Sequence, residues 1–231
     1  MRGARARLWR EVRRVERGVG RADGGAAGVA SAAVAHLRGV RAALDAIDPR
    51  ALAGFVALLE AARERGATIF VAGNGGSATT ASHFVCDLLK RASVPGRPRL
   101  RALALGDNAA LLTAWANDRD YAHVFAEPLE NYARPGDVLV AISTSGNSAS
   151  ILRAAEVAAA HALAVVALTG RDGGALRARA ALWLGAAADS APQVEDVHLA
   201  ICHAVTAALR LPCAGGDPDA ARAPGSAAPA P

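Results

Sequence analysis

Five short apolar runs alternate with longer stretches of helical periodicity along most of this 231-residue chain. The runs are rich in alanine, leucine and β-branched residues and cover residues 68–72, 100–105, 138–142, 164–168 and 181–185. Helices are predicted near 30–46, 49–65, 77–91, 107–117, 121–133, 147–161, 173–179 and 193–210. Short apolar strands that alternate with helices predict an α/β fold: a doubly wound, five-stranded parallel sheet with helices on both faces.

The chain divides into three parts by composition. Residues 1–29 form a basic arm that ends in glycine-rich sequence, residues 30–211 are predicted to form one domain, and the Ala/Pro-rich tail 212–231 is predicted to be disordered. Seven arginines and two glutamates within residues 1–17 account for the whole net charge of +5. The folded domain is therefore not expected to bind nucleic acid. An apolar stripe in the arm leaves two alternatives open, a partner-binding or membrane-surface helix and a solvated or subunit-packing one.

Cysteine usage and hydropathy indicate the compartment. The three cysteines have no paired spacing, the basic start lacks the apolar core of a secretory signal, and no apolar run is long enough to span a membrane. We therefore expect a cytoplasmic protein. Cys86 and Cys202 are predicted to be small core residues.

Two polar loops follow the first and third predicted strands. Residues 143–148 have the sequence Ser-Thr-Ser-Gly-Asn-Ser and precede a helical pattern. Hydroxyl groups and the N–H groups of a helix N-terminus can bind a phosphate dianion. An ordinary helix cap also uses serine, but one such residue is enough for a cap, and this loop has five polar residues in six positions. We therefore predict a phosphate-binding loop.

The loop after the first strand, residues 73–77, has the sequence Gly-Asn-Gly-Gly-Ser. Its spacing differs from the dinucleotide-binding fingerprint, and the chain has no Walker-type phosphate loop, so neither nucleotide site is expected. Ligands of open parallel sheets bind beyond the carboxyl ends of the strands. Both loops are predicted to lie there.

These motifs, in this order, resemble the SIS (sugar isomerase) domain of phosphoheptose isomerases. The resemblance covers residues 51–209 and includes Asn117-Asp118 and residues 168–174. It implies a flavodoxin-like fold and an enediol isomerisation of sedoheptulose 7-phosphate to D-glycero-D-manno-heptose 7-phosphate. It also implies a homotetramer with active sites between subunits.

The resemblance further implies two groups of substrate-binding residues. The phosphate group is expected at Ser143, Thr144, Ser145 and Ser148. The rest of the sugar is expected along Asn74, Gly75, Gly76, Ser77, Asn117, Asp118 and Glu195.

Aldose–ketose isomerisation needs a base and an acid. His83 and Asp87 are four residues apart and therefore share one helix face. Glu195 and His203 are eight apart, about 80° around the last helix, and are expected to lean toward one cavity. Two imidazoles and two carboxylates can bind zinc. His198, on the same helix as His203, is more typical of a structural histidine than of a ligand.

The family pattern implies that Asp87 is the base and His203 the acid. It also implies zinc as a cofactor, bound through His83, Asp87, Glu195 and His203. The sequence departs from this pattern twice, since Asp87 stands where the family has Glu and Glu195 where it has Gln. The shorter side chain draws the carboxylate back by about 1–1.5 Å, which affects proton transfer.

A second class of function remains open. Some SIS proteins, similar to the replication-initiator-associating proteins, act as non-catalytic adaptors or sugar-phosphate sensors. Those relatives tend to lose the acid and base, whereas both positions are ionisable here. Deleting residues 1–28 would separate the two classes, because an adaptor that uses the basic arm would lose its partner, whereas an isomerase would keep its activity.

Overall fold

The computed structural model describes residues 24–211. Residues 1–23 of the predicted arm and the predicted tail 212–231 lie outside the described residues. One parallel sheet contains five strands in the order β2-β1-β3-β4-β5. The strands are β1 Thr68–Gly73, β2 Arg101–Ala104, β3 Val138–Ser143, β4 Ala164–Gly170 and β5 Leu182–Ala186. This is the strand order of flavodoxin-like folds, and the predicted fold class is confirmed.

Helices fill the connections between the strands. They are α1 Gly24–Asp45, α2 Pro49–Arg65, α3 Gly76–Cys86, α4 Ala109–Asp118, α5 Ala126–Tyr132, α6 Ala149–Ala160, α7 Gly174–Arg177 and α8 Ala191–Ala208. A π-helical turn, Asp87–Arg91, continues α3, and a 3₁₀ turn, Tyr121–His123, precedes α5. Two predicted helices, 77–91 and 121–133, therefore change geometry part-way along.

Helix α1 begins earlier than the sequence predicts. The predicted boundary between arm and domain at residue 29 falls inside this helix. The glycines at its start are followed by an alanine-rich run. Alanine has the highest helix propensity, and this offsets the cost of glycine in the first turns.

The core forms two layers, one on each face of the sheet. On one face, β1 and β3 place Ile69, Val71 and Val140 against α1, α2, α3 and α8. On the other, Phe70 and Leu139 pack among α5, α6 and their neighbours. Burial of alternate residues on opposite faces explains why these strands are almost continuously apolar. Within residues 24–211, no helix is both long and apolar enough to cross a membrane.

His198 is a fully buried histidine in the middle of α8. Its Nε2 lies 2.9 Å from the carbonyl oxygen of Thr169, so Nε2–H donates to the carboxyl end of β4. Its Nδ1 is buried without a hydrogen-bond partner in the structure described. Burial lowers the pKa of His198 to about 4, and the bond to Thr169 opposes this shift only in part. These contacts support the structural role that the sequence predicts.

We predict that His198 makes stability depend on pH between about 4 and 6.5. In this range the unfolded chain binds a proton at His198 that the folded chain does not bind. The contribution of His198 to the free energy of unfolding is therefore fully present above pH 6.5. It falls by about 3 kcal/mol as the pH drops toward 4. The free energy of unfolding in urea, measured across this range, checks the prediction.

The matched control is His198→Gln, whose amide can still donate to Thr169 but does not titrate. The difference between the wild-type protein and the variant should vary with pH over this range. Parallel pH profiles would contradict the assignment.

Candidate active site

The loop after β1 turns tightly into α3. A Cβ atom at Gly73 would overlap the backbone of Ser77, so only glycine permits this close approach. Helix α3 begins at Gly76, and its N-cap, Gly75, has no side chain to close the helix end. The turn therefore brings the N-terminus of α3 to the carboxyl edge of the sheet, as the sequence predicts.

The serine loop, residues 143–148, connects β3 to α6 at the same edge. Ser148 is the N-cap residue of α6, but its hydroxyl makes no capping bond to that helix. It lies instead 3.1 Å from the hydroxyl of Ser143. Ser148 therefore does not act as an ordinary side-chain cap, and two hydroxyls meet beside an N-terminus that can bind an anion.

A second segment, residues 170–176, braces the serine loop. The N–H of Gly170 donates to the carbonyl of Thr144 at 2.9 Å, and the N–H of Leu176 donates to the carbonyl of Gly146 at 3.0 Å. Gly146 has φ +64°, and a Cβ there would overlap the carbonyl oxygen of Gly173. The two segments thus fit together only because residue 146 is a glycine.

Asn74, in the first loop, is held by two side chains from other elements. The hydroxyl of Tyr121 donates to Asn74 Oδ1 at 3.0 Å. Asn74 Nδ2 donates to the hydroxyl of Ser150, in the first turn of α6, at 3.0 Å. Asn117 and Asp118 end α4, are exposed, and bond to each other at 2.9 Å. Tyr121 therefore links the region that follows them to the first loop.

His83, Asp87 and His203 come together between α3 and α8. The Nε2 of His203 lies 3.6 Å from Asp87 Oδ2 and 3.3 Å from the Nε2 of His83. The His83 Nε2 lies 4.0 Å from the same carboxylate oxygen. Asp87 is buried, whereas both imidazoles are nearly half exposed. An acid–base pair therefore faces an open cleft, with a volume of about 340 Å³.

Arg91 holds the other oxygen of Asp87. Its Nε lies 3.0 Å from Asp87 Oδ1, at the far end of the π-helical turn that begins at Asp87. This ion pair compensates the burial of the carboxylate and leaves Oδ2 toward the histidines. π-Helical turns are frequent at functional sites.

The three side chains also fit a metal ion. Their candidate ligand atoms lie within 4.8 Å of one another, and no other group of this kind occurs among residues 24–211. Two imidazoles and one carboxylate are typical ligands of zinc and leave one coordination position open. These three ligands therefore suit zinc, the metal that the sequence suggested.

Glu195 does not join this cluster. Its carboxylate lies directly against Gly76, so that a Cβ atom at Gly76 would overlap it. His203 meets His83 two turns further along the same pair of helices. Eight residues of helix rise by about 12 Å, and this rise outweighs the shared direction around the axis. Of the four predicted metal ligands, the structure thus brings together three and places Glu195 at the first loop.

A larger cavity of about 690 Å³ lies at the opposite end of the sheet, near the start of β1 and β3. The carboxylate of Asp137 lines it, but both oxygens accept backbone N–H groups, from Thr68 at 2.7 Å and from Arg134 at 2.9 Å. This carboxylate therefore has a structural role.

The cysteine predictions have different outcomes. Cys202 is buried, as predicted, and burial and the nearby charge of Asp87 both raise the pKa of its thiol. Cys86 is exposed, contrary to the prediction. It lies between His83 and Asp87 in sequence but on the outer side of the last turn of α3, away from the core.

Three further residues contact the site, and the sequence analysis does not identify them. Arg91 follows Asp87 by four residues, a spacing that pairs charges on a helix, so a sequence signal exists for it. Tyr121 and Ser150 lie in different elements from Asn74. No spacing predicts these contacts, because only the fold brings the three residues together.

Comparisons with known proteins place the chain in a family. Residues 35–170 match the SIS domain family model. The chain is 44% identical over 164 residues to a phosphoheptose isomerase of Mycobacterium tuberculosis, covering 71% of this chain and 79% of the relative. The phosphoheptose isomerase structure from Neisseria gonorrhoeae matches with a TM-score of 0.71 and 31% identity, over 78% of this chain and 96% of the other. The one from Francisella tularensis has a TM-score of 0.73 and 30% identity, over 79% and 96%.

We predict that Gly146→Ala destabilises the protein more than Gly66→Ala does. Both glycines have left-handed φ angles, +64° and +65°, but a Cβ atom at Gly66 meets nothing within 4 Å. Gly66→Ala should therefore cost only the conformational strain, about 1–2 kcal/mol. Gly146→Ala adds the collision with Gly173. Urea unfolding measures the difference.

Amide hydrogen exchange locates the damage. The N–H groups of Gly170 and Leu176 should exchange faster in Gly146→Ala and remain protected in Gly66→Ala, because only the first substitution separates the brace from the serine loop. Equal destabilisation with unchanged exchange would contradict this account of the loop.

Proposed function

Because the chain belongs to the phosphoheptose isomerase family of SIS-domain proteins, we propose that it interconverts sedoheptulose 7-phosphate and D-glycero-D-manno-heptose 7-phosphate. The observation that carries this proposal is the buried carboxylate of Asp87, 3.6 Å from the imidazole of His203 in an open cleft. A base and an acid at this separation can serve two adjacent carbons of one sugar. The family itself is shown by the comparisons, whereas the substrate and the steps below are our proposal.

The serine loop is the proposed phosphate site. Hydroxyls of Ser143, Thr144, Ser145 and Ser148 and the N-terminus of α6 would bind the dianion without a cationic side chain. The brace from residues 170–176 supports this role, because it holds the loop in place before a ligand arrives. The first loop, from Asn74 to Ser77, would bind the sugar hydroxyls, together with Asn117, Asp118 and Glu195.

Isomerisation then requires one proton to move between C1 and C2 of the ketose. Asp87 would take the proton from C1 through Oδ2, since Oδ1 is paired with Arg91. This forms the enediol, and return of the proton to C2 gives the aldose. His203 would transfer a proton between the two sugar oxygens. Atoms and charge balance without any other reactant.

His83, Asp87 and His203 would hold a zinc ion, the cofactor proposed for this site. When bound, such an ion supplies positive charge that stabilises an enediolate oxygen. The ion and the proton transfers would use the same atoms of Asp87 and His203, so each subunit can serve only one of the two roles at a time, and Arg91 holds the shared carboxylate in either case.

We also propose a homotetramer in which the cleft of one subunit faces the loops of another. Helix α1 supports this assembly, because it exposes Val29, Val34, Leu37 and Leu44. Apolar surfaces of this kind are typical of subunit contacts. The distance of about 12 Å along α8 between Glu195 and His203 also favours a shared site.

The adaptor alternative is less well supported. Non-catalytic relatives tend to lose the acid and the base, whereas Asp87 and His203 here face each other across a cleft.

We further propose that the enzyme works in the cytoplasm, where the unpaired Cys86 and Cys202 would stay reduced.

Removing either the base or the acid should abolish turnover and spare binding. We expect Asp87→Asn and His203→Gln each to lower kcat by about 100-fold or more, with a small change in KM, because both side chains act in the proton transfer. Steady-state kinetics with a panel of C5–C7 ketose phosphates checks this. Asp45→Asn is the matched control, since Asp45 is an exposed partner of Arg41. Full activity of Asp87→Asn would refute the base assignment.

The metal proposal has its own test. After treatment with a chelator, the protein should bind Zn²⁺ with an affinity that falls about 10-fold or more in His83→Ala, because that variant loses one ligand. His161→Ala removes a partly exposed histidine paired with Glu130, far from this cluster in sequence, and should not change the affinity. Zinc titration followed by calorimetry measures both variants. Unchanged affinity in His83→Ala would exclude this cluster as the metal site.

A further inference from the structure

Tyr121, Asn74 and Ser150 form a chain of hydrogen bonds that joins three segments of the proposed site. Tyr121 lies in the 3₁₀ turn that follows Asn117-Asp118, Asn74 lies in the first loop, and Ser150 lies in α6 directly after the serine loop. Each of the two links measures 3.0 Å. One half-buried amide therefore connects the parts of the chain that are expected to surround the sugar.

The two links also fix which way the amide points. A carboxamide has two N–H donors and two carbonyl lone pairs. Ser150 accepts one N–H, and Tyr121 donates to one lone pair. The amide keeps one donor and one acceptor for a ligand. Two neighbouring hydroxyl groups of a polyol match this pair, since one can accept and the other donate.

The surroundings of the chain suit this role. Ser150 is 2% exposed, so its hydroxyl is not a solvent-facing group. Tyr121 is 51% exposed, which places its phenol at the rim of the site. Asp120 fixes the turn that carries Tyr121, because its carboxylate accepts the N–H of Ala122 at 2.8 Å and contacts His123 Nδ1 at 2.9 Å. These two contacts, with His123 first, lower the pKa of Asp120.

We propose that Tyr121 is a positioning residue that orients Asn74 to bind two adjacent hydroxyls of the sugar's polyol chain. The proposal rests on the function proposed above and adds a specificity determinant to it. Tyr121 acts through Asn74, whereas the phosphate group is bound by other residues. Loss of the phenol hydroxyl should therefore weaken recognition of the sugar and leave recognition of phosphate unchanged.

The test compares two ligands that do not react. Calorimetry with the full-length protein would measure the affinity for a sugar-alcohol phosphate, which carries hydroxyls and phosphate, and for inorganic phosphate alone. Tyr121→Phe should weaken binding of the sugar-alcohol phosphate by about 3- to 10-fold and leave inorganic phosphate unchanged, because one hydrogen bond is lost. In kinetic assays KM should rise by the same factor, with kcat within about 2-fold.

The chain offers a matched control, because it contains only one other tyrosine. Tyr132 lies on α5, is 56% exposed, and lines the cavity at the opposite end of the sheet. Tyr132→Phe should bind both ligands as the wild-type protein does. An equal loss in both tyrosine variants would overturn the proposal.

A double substitution separates positioning from a general structural effect. In an Asn74→Ala background, Tyr121→Phe should cause no further loss of affinity, since the amide it orients is absent. A full further loss would show that Tyr121 acts independently of Asn74, and this would overturn the proposal. Ser150→Ala should resemble Tyr121→Phe in size and in its dependence on Asn74.

The outcomes also distinguish this proposal from the function it rests on. If the wild-type protein binds the sugar-alcohol phosphate and Tyr121→Phe binds it equally well, only the positioning role fails. If the wild-type protein binds neither ligand and isomerises no ketose phosphate, the proposed function fails and the role of Tyr121 fails with it.

Discussion

The adjacency of β1 and β3 in a parallel sheet is the constraint on which the site depends. Gly73, the last residue of β1, is paired with Ile142 near the end of β3. Both strands end at the same edge of the sheet, so the first loop and the serine loop meet there. Each loop leads into the N-terminus of a helix. The brace from the end of β4 then fixes the serine loop. The proposed phosphate site thus depends on strand order and on three neighbouring turns.

The pair of helices α3 and α8 separates two tasks along its length. At the N-terminal ends, Glu195 lies against Gly76 beside the loops. Two turns further along, His203 meets His83 and Asp87 in the cleft. Glu195 and Gly76 belong to the region that would bind the sugar, whereas His83, Asp87 and His203 would transfer protons or bind a metal. The spacing is a property of the helix itself, so substitutions at one end can change binding while the chemistry at the other end is kept.

Much of this arrangement is predictable from the sequence, for physical reasons. Strands buried on both faces must be apolar throughout, so their positions are evident, and polar loops after two of them stand out against that background. The direction of a residue around a helix is also predictable, and it correctly pairs His83 with Asp87. The part of the last helix that faces His83 and Asp87 is not predictable, because it depends on how the two helices pack, and this is why Glu195 was expected at the metal cluster. Contacts such as that between Tyr121 and Asn74 depend on the packing of distant elements, and no local pattern predicts them.

The central claim is that Asp87 and His203 catalyse isomerisation through an enediol, and the fate of a single proton tests it most directly. Sedoheptulose 7-phosphate would be incubated with the enzyme in D₂O and followed by NMR. The account predicts an aldose phosphate that carries deuterium at C2, because the proton taken by Asp87 exchanges with solvent before it returns. The account would be contradicted if no C5–C7 ketose phosphate gave any product or took up any deuterium.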